Sequence, residues 1–585
     1  MKIDESGAKA AANTNQQAAV TGAEALIEAC RQAGTEYIFG YPGGACIPIF
    51  DAIFDSEVEL VLCRHEQGGT HMADGYARAS GKPGVVLVTS GPGATNTVTG
   101  MMTAQMDSVP LVVITGQTIT SALGFDAFQE TDVFGLTMPI VKHSYLVRDV
   151  NDIPRVIKEA FHLAQSGRPG VVLVDVPKDI SAATFVPDYD VELDLPGYAP
   201  PTKGDPAAIR DIAEALSKAK QPILLVGHGA LISGANAEVR ALAEKMNIPV
   251  TTTLLGKGAF PETHPLSVGM LGMHGTAYAN KAVYNCDLIM SIGSRWDDRI
   301  TGKTDEFCKD AVKIHIDIDP SEIGKVIVPD HSVIGDAKSV LQDLLPLVQP
   351  TDTSAWLKRI DAWKEEFPLS FDTSGGLTSQ EVIEAFHRLS GGKAIITTDV
   401  GQHQMWAAQF CLSDSPDTWI SSGGAGTMGF GFPAAIGAQL AQPDKIVCAV
   451  VGDGGYQMTM MELSTAFLQK LPLKILVVDN KYLGMVRQWQ ELFYENRLSG
   501  VDMEGNPDFV KVAEAYSCKG INISNREELD AKMLEAIEYN DGPIVIHAEV
   551  IKEDNVYPMI PAGASYADML TEAPKFALEK PSGST

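Results

Sequence analysis

The 585 residues are too many for a single hydrophobic core, and three domains of ordinary size are expected. Apolar residues make up 45% and charged residues 20%, the balance of a soluble globular protein, and no apolar run approaches the length of a membrane span. A formal net charge of −29 argues against nucleic acid or any other polyanion as a partner.

In chain order, residues 1–17 read as a flexible tail. They are polar, include Asp4 and Glu5, and lack the apolar stretch of a signal peptide and the arginines of a transit peptide. Short β-rich runs then alternate with helical patterns, at 85–89, 111–115, 171–176, 223–226, 288–292, 313–318, 446–451 and 475–478. Continuous apolar strands separated by helices imply mostly parallel sheets covered on both faces. The expected fold class is therefore α/β, with three doubly wound domains. Two stretches break the alternation and read as linkers: 186–206, rich in Pro and Asp, and 349–376, which includes Pro350, Thr351, Asp352 and Thr353. This predicts domains over 18–185, 206–347 and 375–550, with a second tail over 551–585. The eight cysteines are scattered, without a Cys-x-x-Cys pair, as expected of free thiols in the cytoplasm.

Two places carry chemistry. In the first domain a strand near 58–62 is followed by Arg64-His65-Glu66-Gln67-Gly68-Gly69 and a helical pattern through Ala79. Glu66 thus sits where a strand hands over to a helix. Taken alone, such an acid more often complements a helix N-terminus. A zinc reading fails, because His65, Glu66 and His71 do not form the His-Glu-x-x-His ladder. In the third domain a strand at 446–451 ends in Gly452-Asp453-Gly454-Gly455. A helical stretch around 460–468 and a second strand at 473–478 lead to Asp479-Asn480. This unit puts an oxygen ligand at the carboxyl end of each of two strands, the crevice where open α/β sheets bind ligands. Asp453 offers a carboxylate and Asn480 an amide oxygen. A hard cation such as Mg2+ takes both and fills its shell with phosphate oxygens and water, and the glycines let the backbone approach a diphosphate. Either half alone is ordinary turn chemistry.

Together, and at this spacing, the two halves resemble the fingerprint of the thiamine-diphosphate enzymes, which opens in Gly-Asp-Gly and closes in Asn-Asn. Here Asp479 replaces the first Asn, and Asn480, the expected metal ligand, is kept. The resemblance implies Mg2+ held by Asp453, Asn480 and the main-chain carbonyl of Tyr482. The stretch 65–91, with Gly75-Tyr76-Ala77-Arg78-Ala79 and Ser90-Gly91-Pro92-Gly93-Ala94-Thr95-Asn96, is similar to the pyrimidine-binding domain of that family. Glu66 would then hydrogen-bond N1′ of the aminopyrimidine and promote loss of the thiamine C2 proton, the protein supplying geometry and proton placement. In this family the carboxylate and the metal site that serve one cofactor come from two chains, so the resemblance implies a homodimer or homotetramer. The other implied contacts of thiamine diphosphate are Gly43, Gly44, Gln402, His403, Gly426, Gly454, Met485 and Met428, the last as an apolar wedge beneath the bent cofactor.

The middle domain carries Gly227-His228-Gly229, Leu271-Gly272-Met273-His274-Gly275, the run from Gly293 to Gly302, Asp317-Ile318 and Gly335-Asp336-Ala337. Each glycine pair alone is more often a turn. The ordered set resembles the FAD-binding domain of the acetohydroxyacid synthase family, in which the flavin has no net redox role. FAD contacts are thereby implied at Arg168, Gly227, Gly229, His274, Gly293, Arg295, Asp297, Asp317, Ile318, Asp336 and Ala337. The same resemblance implies substrate-side roles for Gln129, Lys178, Arg299 and Trp489. Arg299 would hold the carboxylate of a second 2-oxo acid, for which a guanidinium is suited; an ion pair with Asp297 or Asp298 is the competing reading. Trp489 would shape the pocket for that acid, its alternative being a surface aromatic. The implied reaction decarboxylates pyruvate and transfers the two-carbon unit to a second pyruvate or to 2-oxobutyrate, the first common step of branched-chain amino acid biosynthesis. Members of the family often bind a small regulatory subunit. Three alternatives stay open: a flavin-free catabolic acetolactate synthase, a pyruvate oxidase, and a non-catalytic relic. The intact Glu66, Asp453 and Asn480 argue against the relic.

Overall fold

The computed structural model describes residues 18–573; the tail expected over 1–17, and the end of the one expected over 551–585, lie outside the described residues. Three six-stranded, wholly parallel sheets are flanked by helices, as the alternation of apolar strands and helical patterns predicts. The central strands are continuous apolar runs with no exposed face. Gly84–Val88, Leu111–Gln117 and Val171–Pro177 in the first sheet and Val447–Gly452 and Lys474–Asp479 in the third are buried at every position. Such runs need cover on both sides, and the intervening helices supply it.

The first sheet runs Glu59–Leu62, Tyr37–Tyr41, Gly84–Val88, Leu111–Gln117, Val171–Pro177, His143–Leu146, an order of 2-1-3-4-6-5 counted along its own segment. The third sheet has the same 2-1-3-4-6-5 order, from Trp419–Ser421 through Ile395–Thr398, Val447–Gly452, Lys474–Asp479 and Ile544–Glu549 to Lys519–Ile523. The middle sheet differs. Its order, Ser267–Met270, Val250–Thr252, Pro222–Val226, Leu288–Ile292, Val312–Asp317, His331–Ile334, is 3-2-1-4-5-6, that of dinucleotide-binding sheets.

The first and third domains are joined by a close crossing of two helices, Glu66–Ser80 and Gly431–Ala441. A Cβ on Gly75 would lie 2.0 Å from the Ala434 carbonyl oxygen, and one on Gly437 would lie 1.8 Å from that of Met72. Only glycine at both positions lets the backbones touch. One apolar core runs through the joint, from Phe39 and Val86 in the first domain to Phe432, Ala449, Val451 and Phe509 in the third.

Two expectations from the sequence need correction. The segment 349–376 is not simply a linker, because it contains the helix Ser354–Glu366. Trp356 and Ile360 on that helix are buried against the middle domain, and the Trp356 indole donates to the Pro222 carbonyl at 3.0 Å. The turn residues Pro350–Thr353 mark only the approach to this helix. The segment after 550 is not a free tail over its described part. Val556, Met559, Ile560 and Tyr566 are buried, and the Ile560 amide donates to the Met273 carbonyl at 2.8 Å. These apolar side chains find cover on the middle and third domains, which a local reading cannot anticipate. The segment 186–205 contains no helix or strand.

Candidate active site

All three sheets present their glycine motifs at one kind of place, the carboxyl ends of the two strands between which the winding reverses. In the first sheet these are Tyr37–Tyr41 and Gly84–Val88, followed by Gly43 and Thr89; a Cβ on Gly43 would meet Thr89 at 2.5 Å. In the middle sheet they are Pro222–Val226 and Leu288–Ile292, where Gly227 and Gly229 lie against the backbone of Gly293. In the third they are Ile395–Thr398 and Val447–Gly452, where the His403 ring rests on Gly452.

The third-domain clamp is compact and buried. A helix, Asp453–Thr459, begins at Asp453 itself, earlier than the helical stretch expected from 460. Asp453, Asn480 and Tyr482 line one small cavity together with Gln402, His403, Met428, Gly454 and Met485. Asp453 accepts from the Gly454 amide at 2.9 Å and from Asn506 Nδ2 at 2.7 Å. Burial, and then the neighbouring Asp479, push the Asp453 carboxyl up to about 7. Burial would raise Asp479 too, but its bonds to His547 (2.9 Å) and Asn506 (3.0 Å) outweigh it and hold that carboxyl below its ordinary value. Asn506 Nδ2 donates to both acids, and a cation beside Asp453 would offset their mutual repulsion. Among the described residues there is no cluster of three or more His, Cys, Asp and Glu suited to a metal, so any cation here would rely on one carboxylate plus amide and carbonyl oxygens. Burial lowers the His403 imidazole to about 3, so it is neutral near pH 7, and its Nε2 has no partner among the described residues.

Glu66 is the first residue of its helix, as the strand-to-helix reading requires. Its carboxylate accepts from Asn96 Nδ2 at 2.9 Å. Gln129 sits in a left-handed conformation (φ 58°) with its carbonyl beneath Gly91, so the 124–132 loop touches the same turn. Lys178 is exposed at the end of Val171–Pro177, and Gly44 faces open space. None of Gly43, Gly44, Glu66, Gln129 and Lys178 lines a cavity with the Asp453 clamp.

A larger cavity, about 1120 Å3, lies where the three domains meet. It gathers Arg168, Gly229, His274, Gly293, Arg295, Asp297, Asp317, Ile318, Asp336 and Ala337, and also Gly426, Met485, Arg299 and Trp489. Gly227 is not in its lining; it supports the wall through its packing on Gly293. Val400, Gly401 and Met485 line both cavities. The Arg299 guanidinium reaches Asp298 at 3.4 Å, but both side chains are more than half exposed, so that ion pair is weak. Arg168 bridges Asp319 and Glu322 at 3.1 and 2.6 Å. Trp489 is half-buried on the helix Gly484–Phe493 and packs edge-on against Phe493.

Several residues escape a reading of the sequence. Glu462, nearly 400 positions away, accepts the Arg64 and His65 amides, each at 3.0 Å, and so fixes the turn that carries Glu66. Asn506 and His547 bracket Asp479. Arg487 and Gln488 tie the Trp489 helix to Asp554, Asn555 and Val556. Only the unusual Asp at 479 in place of Asn signals such partners.

The chain matches three family models: thiamine pyrophosphate enzyme, N-terminal TPP binding domain, over residues 20–136; central domain, over 209–344; and C-terminal TPP binding domain, over 399–548. Sheet order, site and matches together define a thiamine pyrophosphate enzyme. Curated relatives include an acetolactate synthase large subunit of Parasynechococcus marenigrum (strain WH8102), 49% identical over 95% of this chain and 92% of the relative. The acetolactate synthase large subunit of Haemophilus influenzae is 46% identical, over 95% and 99% respectively, and the acetolactate synthase of Mycobacterium bovis is 45% identical, over 93% and 90%. The chain belongs to the acetolactate synthase family. No helix among the described residues is long and apolar enough to cross a membrane, and all eight cysteines are free and buried.

Proposed function

We propose that the protein decarboxylates pyruvate and joins the two-carbon unit to a second pyruvate, giving 2-acetolactate, or to 2-oxobutyrate, giving 2-aceto-2-hydroxybutyrate. The observation that carries this reading is the shared wall of the two cavities. Arg299 and Trp489 line the large one, the Asp453 clamp lines the small one, and Met485 belongs to both. A condensing enzyme needs a second carboxylate anchor beside its reaction centre, and Arg299 is a cation suited to it. Trp489 would bound the alkyl group that distinguishes the two acceptors.

Thiamine diphosphate, when bound, supplies the carbon nucleophile and the electron sink for decarboxylation. Asp453, Asn480 and the Tyr482 carbonyl would hold Mg2+ on its diphosphate, with the raised Asp453 carboxyl losing its proton to the cation's field. The Nε2 of the buried His403, unpartnered among the described residues, faces the small cavity and is free to hydrogen-bond a group bound there. Glu66 would hold a proton at the aminopyrimidine N1′ and Met428 would wedge the cofactor. Since Glu66 lines neither cavity, a second chain would bring its own Glu66 to the clamp, which supports a homodimer or a homotetramer of dimers. The large cavity, at about 1120 Å3, exceeds the usual range for a small ligand, roughly 300–1,000 Å3, and opens on a sheet of dinucleotide order, which supports reading it as the site of FAD in a non-redox role. A small regulatory subunit and a cytoplasmic setting complete the reading.

The test is product analysis by mass spectrometry after incubation with pyruvate alone and with a pyruvate and 2-oxobutyrate mixture, with Mg2+, thiamine diphosphate and FAD supplied. Both hydroxy acids are expected. Oxygen consumed or quinone reduced in step with turnover would instead make the protein an oxidase, and absence of carbon–carbon bond formation would overturn the proposal.

A further inference from the structure

Part of the wall between the two cavities is one loop, beside Val400, Gly401 and Met485. Gly423, Gly424 and Gly426 line the large cavity, and Met428 lines the small one. With glycine at 423, 424, 426 and 429 the loop has few side chains with which to pack, and ordering glycine costs more backbone entropy than ordering any other residue. Its position must come from hydrogen bonds to its backbone, and one buried side chain supplies two of them.

That side chain is Asp107, from the end of the first-domain helix Val98–Met106; its carboxylate is fully buried. One oxygen accepts the Gly424 amide at 2.7 Å; the other accepts the Gly423 amide at 3.1 Å and Arg78 Nη2 at 2.9 Å. Arg78 also donates to the Ser421 carbonyl at 3.0 Å, where the loop begins. The Asp107 carbonyl oxygen lies 2.8 Å from His228 Nδ1, in the middle-domain motif Gly227-His228-Gly229. A carbonyl can only accept, so Nδ1 carries the proton. Thus Asp107 binds all three domains at once. A second tie from the same helix is the hydroxyl pair Thr103–Thr427, 2.6 Å apart, one residue before Met428. On the cavity side, a Cβ on Gly424 would approach Arg295 to 3.1 Å, so the loop and the Arg295 guanidinium are in near contact.

We propose that Asp107 is a positioning residue that turns this glycine-rich loop into a rigid partition, so that a dinucleotide seated in the large cavity tightens binding of the diphosphate cofactor on the other face. This rests on the reading of the large cavity as the FAD site. A ligand packed on Arg295 and on the 423–426 backbone holds the loop in the position that Met428 needs, and coupling through a shared ordered element is reciprocal. The acceptors on Asp107 transmit it: charge-assisted bonds to two amides resist displacement better than neutral ones. In Asp107→Asn one acceptor becomes an NH2 facing N–H donors, which loosens the loop without changing its sequence.

The experiment measures the Kd of thiamine diphosphate with Mg2+ by titration calorimetry on the full-length apoprotein, with and without saturating FAD. It is run on the wild type, Asp107→Asn and Thr103→Val. FAD should tighten the wild-type Kd about tenfold, that of Asp107→Asn less than about twofold, and that of Thr103→Val by an intermediate factor. A merely structural Asp107 would lower the stability of the variant yet leave the ratio at its wild-type value, and that result overturns the proposal. If Asp107→Asn does not fold, an unchanged ratio in Thr103→Val overturns it instead. Flavin fluorescence separates the two readings. Absence of FAD binding to the wild type defeats the assignment of the cavity and this inference with it, whereas FAD binding with equal ratios in every variant defeats the coupling alone.

Discussion

The first and third domains wind their sheets in the same order and place their motifs at the same reversal of that order, yet the two crevices are finished differently. In the third, Asp453, Asp479, Asn506 and His547 form a closed hydrogen-bonded set, and Asp453 is only 2% exposed. In the first, Glu66 has Asn96 beside it, and the adjoining loop exposes Phe125 and Phe128 at 79% and 89%. Topology supplies a crevice; the residues at the strand ends decide whether it is preorganised within the chain or left open for something else to complete. Exposed aromatics beside a half-formed site are the mark of a surface awaiting a partner, here read as a second copy of the chain.

The largest expected effects break this comparison at its two carboxylates. Glu66→Gln should lower kcat by about 10²–10⁴ while leaving cofactor affinity largely intact, since it removes a proton donor and acceptor and little else. Asp453→Ala should instead weaken Mg2+ and thiamine diphosphate binding together, because the cation links them. If the two acids of one site come from different chains, mixing the two inactive variants should restore activity to about a quarter of wild type. Half of the dimers would then be mixed, each with one intact site. Mixtures that stay inactive after verified subunit exchange would place both acids in one chain.

A smaller effect compares the third domain with the middle one. Trp489→Leu should reduce the preference for 2-oxobutyrate over pyruvate more than it reduces total turnover, erasing part of the roughly ten- to two-hundredfold discrimination that one methylene gives against an apolar wall. Arg299→Ala should lower both products together and keep their ratio. Competition between the two acids, with both products quantified, decides; an unmoved ratio in Trp489→Leu would make Trp489 a structural aromatic.

The joint between the first and third domains gives an effect on stability rather than on catalysis. Burial pushes the Glu462 carboxyl from its ordinary 4.5 up to about 7 despite the amides it accepts. The folded protein therefore keeps a proton that the unfolded chain has released between those values. Its contribution to stability is fully present below about 4.5 and is lost as the pH rises toward 7. The stability of the wild type relative to Glu462→Gln should fall by roughly 3 kcal/mol across that window. Denaturant unfolding of both proteins at a series of pH values measures it, and parallel curves would count against the shift.

Much of this is legible in the amino-acid order because it is local. Gly452-Asp453-Gly454 follows its strand, Glu66 opens its helix, and the Val-rich apolar runs at 85–88 and 447–451 read as buried strands, since each such pattern is written within a few residues. The glycine motifs of the middle domain likewise stand next to the strands that use them. What the order of residues does not disclose is every bond that spans domains. Nothing near Arg64 points to Glu462, nothing near Gly423 points to Asp107, and the polar run after 550 hides Met559 and Ile560, which bury themselves only because two other domains present a cleft. The sequence by itself determined the sheets, the caps and the chemistry offered at each strand end, because backbone geometry and side-chain period act over short distances. Only the tertiary structure decided which strand ends share a cavity, because that depends on how whole domains pack, as at the Gly75–Gly437 crossing, where two backbones meet with nothing between them.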